Sequence, residues 1–312
     1  MTLKSLLLVS SLAVLATPAL AVDRSIDSCG TVSTFEAIPT RVITLNQQAT
    51  ELMLALGLEG NLIGTAYMDD TIPERWQAAY DGVKVISDRY PAREVVLAEN
   101  PDLLFAGFAS AFGEKATGPQ AEWNALGIPT YLVKAECRDQ HPPTVKLTTA
   151  PLFTDLERLG ALFSVEDRAE VIADDIHTRL DAVAGANPGA GRTAFLFDSG
   201  TETAFSAGCC GAPALLMEAV GLKNISDGVE GRWADLAWEA VATAKPEVIV
   251  LIEAAWSSSA EKIEFLKADP VLSELDAVKN ERFVVIPFSA TLLGVRFVEG
   301  VEQLGADLAA LK

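Results

Sequence analysis

The sequence predicts an α/β fold of two Rossmann-like lobes, each built on a mainly parallel sheet, joined by one long linker helix. Three observations carry this prediction. Short β-rich runs alternate with amphipathic helical stretches, a strandless helical stretch interrupts them near the middle, and the halves on either side repeat one pattern. Strands separated by helical crossovers pair in parallel, and a parallel sheet needs both faces covered.

The elements follow in chain order. Residues 1–21 read as a signal peptide, because Lys4 precedes an apolar run from Leu6 to Ala16 that closes on Ala19-Leu20-Ala21, an A-x-A cleavage pattern. At about 11 residues that run is too short to span a bilayer, which takes about 20. The first cysteine, Cys29, lies beyond the cut, so no lipid anchor is expected there. The mature chain should be a soluble periplasmic protein with an N-terminal lobe over 22–145, a helical connector over 146–185 and a C-terminal lobe over 186–312.

In the first lobe, strands are expected at Arg41–Leu45, Asn61–Ala66, Asp102–Ala106 and Thr130–Val133, with helices through Glu51–Leu56 and ending near Leu126. In the connector, Ser164 with Asp167 resembles a capping box, and Ala169, Ile172, Ala173, Ile176, Leu180 and Val183 follow at helical spacing. A helix near 165–184 would span about 30 Å. The segment GANPGAGR (Gly185–Arg192) breaks it, and Thr193–Asp198 opens the second α/β run.

The internal repeat is the most informative pattern. LALGLEGNLIG (Leu54–Gly64) precedes EVVLAENPDLLF (Glu94–Phe105), and MEAVGLKNISDG (Met217–Gly228) precedes EAVATAKPEVIVL (Glu239–Leu251). Glu94 and Glu239 each stand seven residues before a proline, Pro101 and Pro246. A duplicated unit on either side of a helical connector reads as two lobes with a cleft between them.

Charge and cysteine usage narrow the chemistry. A net charge of −19, or −20 once Lys4 leaves with the leader, repels phosphate backbones, so nucleic acid is not an expected partner and cationic partners are favoured. Four cysteines in an oxidising compartment tend to pair, and Cys29 with Cys137 would tie the start of the mature chain to the first lobe, although four cysteines allow three connectivities. The adjacent Cys209 and Cys210 could form a vicinal disulfide, a soft metal site or two buried thiols, the last being the default. Two histidines, His141 and His177, sit in different contexts, so no bare metal ion is expected.

One catalytic signature needs weighing. FLFDSGT around Asp198 matches the apolar-D-[ST]-G pattern of aspartic proteases, but that chemistry needs two carboxylates sharing a proton, and no second copy exists. A strand running into a polar turn at a cleft edge is the plainer reading. No H-E-x-x-H, G-x-S-x-G or G-x-x-x-x-G-K-[ST] is present.

Ligand contacts are expected just after strand ends, where an α/β cleft opens. In the first lobe these are Asn46, Gln47, Tyr67, Met68, Arg89, Tyr90, Phe108 and Phe112; in the second they are Ser199, Cys209, Cys210, Arg232, Trp233, Trp256, Phe288 and Arg296. Aromatic walls with several arginines would suit a large, flat, partly anionic ligand.

Four stretches, RVITLNQQATELMLALGLEGNLIGT from Arg41, REVVLAENPDLLFAG from Arg93, LGIPTYLV from Leu126 and WEAVATAKPEVIVL from Trp238, resemble the periplasmic binding proteins for ferric siderophores, haem and cobalamin, whose lobes share one long helix. The resemblance implies a non-enzymatic, monomeric solute carrier without a cofactor of its own, serving an ABC permease and its ATPase. It also implies that Glu94 and Glu239 dock into arginine pockets on the permease. Within the family, GFASAFGEK from Gly107, AGCCGAPALLMEAVGLKNI from Ala207, GRWADLAWE from Gly231 and IPFSATLLGVR from Ile286 are similar to a subgroup proposed to import a deazaflavin coenzyme precursor, with Cys209-Cys210 as a departure.

Overall fold

A computed structural model describes residues 24–311, so the expected signal peptide lies outside the described residues. An antiparallel hairpin, β1 (Arg24–Ser28) and β2 (Thr31–Phe35), precedes the first lobe. That lobe runs β3 (Val42–Leu45), α1 (Gln47–Ala55), β4 (Leu62–Ala66), α2 (Glu74–Tyr80), β5 (Val85–Ser87), α3 (Arg93–Ala98), β6 (Leu103–Ala106), α4 (Gln120–Ala125) and β7 (Thr130–Leu132). Its five strands pair in the order β5-β4-β3-β6-β7, all parallel. Every residue of β3 and β6 is buried, as a strand covered on both faces requires. The order reverses beside β3, so a crevice opens at the carboxyl ends of β3 and β6.

Two helices, α5 (Ala150–Phe163) and α6 (Glu166–Ala186), then lead to the second lobe. It contains β8 (Thr193–Phe197), β9 (Ala204–Ala207), α7 (Ala212–Ala219), β10 (Lys223–Asn224), β11 (Trp233–Leu236), α8 (Trp238–Ala244), β12 (Val248–Glu253), α9 (Ser259–Ala268), α10 (Asp276–Lys279), β13 (Phe283–Pro287) and α11 (Phe297–Ala310). Strands β10-β8-β12-β13 form a second parallel sheet, and β9 and β11 pair antiparallel beside it. The expected α/β fold with two mainly parallel sheets is thus present. Among the described residues, no helix is long and apolar enough to cross a membrane.

The linker helix α6 has 21 residues, about 31 Å at 1.5 Å per residue. The capping box expected at its start does not form. Ser164 instead closes α5 in the left-handed conformation (φ 57°), and its hydroxyl accepts a hydrogen bond from Arg24 at 2.9 Å. An N-cap needs an extended backbone, which this residue lacks. The tight reversal brings α6 onto α5 where Gly160 faces Ala169; a Cβ on Gly160 would lie 2.8 Å from the Ala169 methyl. Near its far end α6 is held to α11 by Arg179, which donates to Glu302 through Nε (2.8 Å) and Nη2 (2.6 Å).

The repeat has a structural counterpart in equivalent short helices. Glu94 is the second residue of α3 and Glu239 the second of α8, both exposed, and each helix follows an extended alanine, Ala92 or Ala237. Each ends at a left-handed residue before proline, Asn100 (φ 49°) or Lys245 (φ 48°), and leads into a core strand, β6 or β12. The next carboxylate, Asp102 or Glu247, accepts from the backbone N–H of Arg41 (2.9 Å) or Thr193 (2.8 Å) at the start of the neighbouring strand.

The lobes meet along a buried seam. Arg296, just ahead of α11, donates through Nη1 to Asp70 Oδ1 at 2.9 Å and Glu51 Oε1 at 3.1 Å, and also to Ser289 Oγ. Gln47 donates to Glu51 at 2.9 Å and to Asp70 at 2.8 Å and accepts from the Asp69 and Asp70 N–H groups at 3.1 and 3.0 Å. Gln48 adds a bond to the Leu293 carbonyl at 2.5 Å. At a second point, Arg232 pairs with Glu136 and donates to the carbonyls of Ala135 and His141.

Cys29 and Cys137 are joined by a disulfide that pins the hairpin to the segment after β7, across 108 residues of sequence. Cys209 and Cys210 are bonded to each other, so the default of two buried thiols is corrected: no cysteine among the described residues is free. Closing a loop of this length restricts the unfolded chain, and the paired substitution Cys29→Ser with Cys137→Ser is expected to lower stability by about 2–5 kcal/mol, read as a lower urea midpoint. Replacing Arg296 with Met leaves Glu51 and Asp70 buried without their guanidinium. A loss of about 3–5 kcal/mol is expected, and an unchanged midpoint would show that the seam does not hold the lobes.

Candidate functional site

A cleft of about 490 Å³ lies between the lobes, lined by Asn46, Tyr67, Asp69, Tyr90, Phe108 and Ser110 from the first and by Asp198, Ser199, Phe205, Trp233, Trp256 and Phe288 from the second. Its size falls within the range of about 300–1,000 Å³ usual for small-molecule sites. The position follows from the topology, because Asn46 directly follows β3, Tyr67 follows β4, and Asp198 follows β8.

Two of these residues hold unusual backbone conformations. Asn46 has φ 79° and ψ 154°, a region that glycine normally occupies, and Tyr67 has φ 57°. Both are held by the sheet beside them: the Asn46 N–H donates to Ala66 O at 2.9 Å, and the Tyr67 N–H to Ser87 O at 3.0 Å. The result turns both side chains into the crevice. There Asn46 Nδ2 donates to the Tyr90 hydroxyl at 3.1 Å, and that hydroxyl lies 2.8 Å from Ser110 Oγ. Tyr67 meets Tyr90 edge-on, with ring centroids 4.6 Å apart.

The second lobe contributes a run of rings. Phe205 stacks on Trp233 at 5.2 Å and 12°, Trp233 lies nearly parallel to Phe288 at 6.4 Å, and Trp256 meets Phe288 edge-on at 4.7 Å. Phe108 reaches across from the first lobe to within 6.5 Å of Phe288. Trp256 is half exposed at the mouth, whereas Phe288 is buried. Such a wall offers broad apolar contact to a flat ligand.

Two carboxyls face this wall. Asp69 is 7 % exposed and Asp198 3 %, and Asp69 Oδ2 and Asp198 Oδ1 have no hydrogen-bond partner. Burial, reinforced by neighbouring Asp70, pushes Asp69 up to about 7. Burial also raises Asp198, against the Ser199 hydroxyl, which donates to Oδ2 at 2.7 Å, and the nearby Lys262 ammonium. The DSGT segment is a strand-end turn: the Asp198 N–H donates to Phe205 O, the Phe205 N–H donates to Ser199 O, and Gly200 turns the chain at φ 95°.

Of the residues expected at the site, Asn46, Tyr67, Tyr90, Phe108, Ser199, Trp233, Trp256 and Phe288 come together in the cleft. The others lie elsewhere. Gln47 and Arg296 belong to the seam, Arg232 is committed to its contacts around Glu136, and the Met68 sulfur lies beside the hydroxyls of Thr50 and Thr65. Phe112 is buried in the core of the first lobe, and Cys209 and Cys210 form the turn before α7. Arg89 is exposed, its guanidinium 5.7 Å from the Tyr67 ring centroid. The expected arginine-lined, anion-accepting wall is therefore corrected: the arginines are spent on carboxylates and carbonyls of the seam or sit outside the cleft. Asp198 lies where the plainer reading of the DSGT segment puts it, in a turn at the cleft edge, whereas Asp69, Ser110 and Phe205 are not among the individually expected residues. Asp69 lies three residues past the end of β4, Ser110 lies inside the FASAF segment, and Phe205 is carried by an antiparallel strand that the strand-end rule ignores.

Among the described residues, no group of three or more His, Cys, Asp or Glu converges to hold a metal ion. The raised carboxyls have a measurable consequence. Burial pushes Glu51, Asp69 and Asp155 each up to about 7, opposed at Glu51 by Arg296 and at Asp155 by the Tyr131 hydroxyl 2.5 Å away. Between the ordinary carboxyl value near 4 and about 7, the folded state then holds more protons than the unfolded chain, so stability falls as pH rises through that window. The melting temperature is expected to be lower at about pH 8 than at about pH 5, with a smaller drop in Asp69→Asn; a rise, or an unchanged drop in the variant, contradicts this.

Comparison with known proteins gives a consistent picture. The profile described as "Periplasmic binding protein" matches residues 42–290. A vitamin B12-binding protein of Pectobacterium atrosepticum is 25 % identical over 290 residues, covering 88 % of this chain and 91 % of that protein. An uncharacterized ABC transporter substrate-binding lipoprotein of Bacillus subtilis is 22 % identical over 280 residues, covering 88 % and 82 %. Among solved structures, a periplasmic binding protein from Veillonella parvula superposes with a TM-score of 0.80 at 27 % identity, over 94 % of this chain and all of that one. An ABC-type Fe3+-hydroxamate transport protein from Saccharomonospora viridis shares the fold, with a TM-score of 0.75 at 22 % identity over 92 % of this chain and 99 % of that one. With two parallel sheets, a linking helix and a cleft at their carboxyl ends, the chain belongs to the periplasmic binding protein family.

Proposed function

We propose that this chain is the solute-binding component of an ABC importer, capturing a flat, cofactor-like ligand or metal chelate and handing it to a permease. The observation that carries this reading is the interlobe cleft, where rings from both lobes face one space of about 490 Å³. The relatives that bind vitamin B12, and the fold shared with an Fe3+-hydroxamate transport protein and a haem-binding protein of Vibrio cholerae, support that ligand class. The function is capture rather than reaction, in keeping with relatives that are binding proteins.

On this reading, residues 1–21 direct export to the periplasm and are removed, and the lobes over 22–145 and 186–312 act as a monomer around the connector 146–185. Glu94 and Glu239 are the docking pair. Each is exposed at the start of a short helix, and the two helices occupy equivalent places in the two lobes. That arrangement suits a permease built from two related halves. The seam contacts and the stiff α6 favour a cleft that is largely preformed, with a small closure on binding.

Two measurements test the proposal. Native mass spectrometry of protein purified from its native periplasm should show the chain carrying a small molecule, and mature protein without a bound solute under any uptake condition would sink the capture role. The double variant Glu94→Ala with Glu239→Ala should lose uptake in cells while affinity for the co-purified solute stays unchanged. A matching loss of affinity would remove the docking assignment.

A further inference from the structure

The cleft is lined by two carboxyls and by no lysine or arginine, and this charge pattern narrows the ligand. Asp69 comes from the first lobe and Asp198 from the second, so a ligand spanning the cleft meets both. Each is more than nine-tenths buried and keeps one oxygen, Asp69 Oδ2 or Asp198 Oδ1, without a partner. Asp198 is partly offset by the Ser199 hydroxyl and the nearby Lys262 ammonium, and Asp69 is flanked by the acidic Asp70, so a cationic ligand would add the positive charge that this lining lacks.

The rings point the same way. Tyr67, Tyr90, Phe108, Phe205, Trp233, Trp256 and Phe288 enclose the space, and the electron-rich faces of such rings attract a positive charge, most strongly when it is desolvated. The cations around the cleft have partners of their own, although Lys262 also faces Asp198. Arg296 and Arg232 are held in the seam, Lys262 Nζ donates to the carbonyls of Ile252 and Ser257 at 2.5 and 2.6 Å, and Arg89 stands outside against Tyr67. At longer range, a chain with net charge −19 draws cations toward itself and repels anions.

We infer that the captured solute is an organic cation with a flat or ring-bearing body, its positive charge held between Asp69 and Asp198 and its rings laid against Trp233 and Phe288. The inference rests on the reading that this cleft holds the transported solute, and it adds the sign of that solute's charge. It separates this chain from any carrier that would take a polyanionic chelate in an arginine-lined pocket.

A matched pair of probes tests it: N-methylacridinium, a cation, and acridine-9-carboxylate, an anion on the same ring system. Each is titrated by calorimetry into the full mature chain freed of solute, at about pH 7.5. The cation should bind at least about tenfold more tightly than the anion, and Asp69→Asn with Asp198→Asn should erase that preference. These amides keep the side-chain shape and remove buried charge, and a far-UV spectrum with a melting curve checks their folding. Should the double variant fail to fold, Asp69→Asn alone must still reduce the preference. Equal or tighter binding of the anion, or a preference unchanged by the substitutions, overturns the charge assignment and leaves solute capture standing. Failure of both probes to bind, together with no solute co-purifying from the periplasm, overturns both.

Discussion

One guanidinium, that of Arg296, bridges two carboxyls across the junction of the lobes, and the shape of the cleft depends on it. Asp70 and Glu51 belong to the first lobe, Arg296 and Ser289 to the second, and the loop carrying Asp70 also carries Asp69 into the cleft. Gln47 fixes that loop by accepting from both aspartate N–H groups while donating to both seam carboxyls. Loss of the bridge would leave two buried carboxyls sharing one place with nothing to balance them. Their mutual repulsion would push on the same loop that lines the site, so seam and site are mechanically one unit.

The partition of charge follows from this architecture. Arginine suits a buried junction because its planar fork can serve several acceptors at once and stays charged at any accessible pH. Arg296 and Arg232 are used in that way, each gathering partners from the opposite lobe. Carboxyls, by contrast, can survive burial without a partner by taking up a proton, and Asp69 and Asp198 are raised for that reason. A cation entering the cleft would favour the ionised form of both groups. The strained backbone at Asn46 and Tyr67 belongs to the same pattern, since both residues give up a favourable conformation to face the cleft.

Much of the fold was legible because it rests on periodicity and repetition. The run VITL reads as a doubly covered strand and is one, and the pairing of Glu94 with Pro101 and Glu239 with Pro246 marks equivalent helix-strand units in the structure. At the connector's start the S-x-x-D pattern is only local, whereas the left-handed turn at Ser164 is set by packing α6 back onto α5. Most aromatic residues of the site follow from the strand-end rule, since they come from segments that leave the sheets toward the cleft; Phe205, inside β9, does not. The arginines do not, because their partners are far away in sequence: Glu51 lies 245 residues from Arg296, and Glu136 lies 96 from Arg232. Nothing local distinguishes an arginine that will face a ligand from one that will be consumed by a distant carboxylate.

The duplication explains why the outside of the molecule can be symmetric while the inside is not. The helices bearing Glu94 and Glu239 keep the same entry, the same left-handed exit and the same following strand, as surfaces presented to one two-fold partner would need. The cleft faces have diverged: tyrosines, an asparagine and one phenylalanine on one side, tryptophans and two phenylalanines on the other. A small ligand has no two-fold axis to match, so nothing constrains the two inner walls to remain alike. A single aspartate persists on each, reached by different routes: Asp69 through a loop pinned to the seam, Asp198 at the end of a central strand. Two carboxyls that line one cleft from unrelated local structures are better explained by a shared ligand than by the repeat itself.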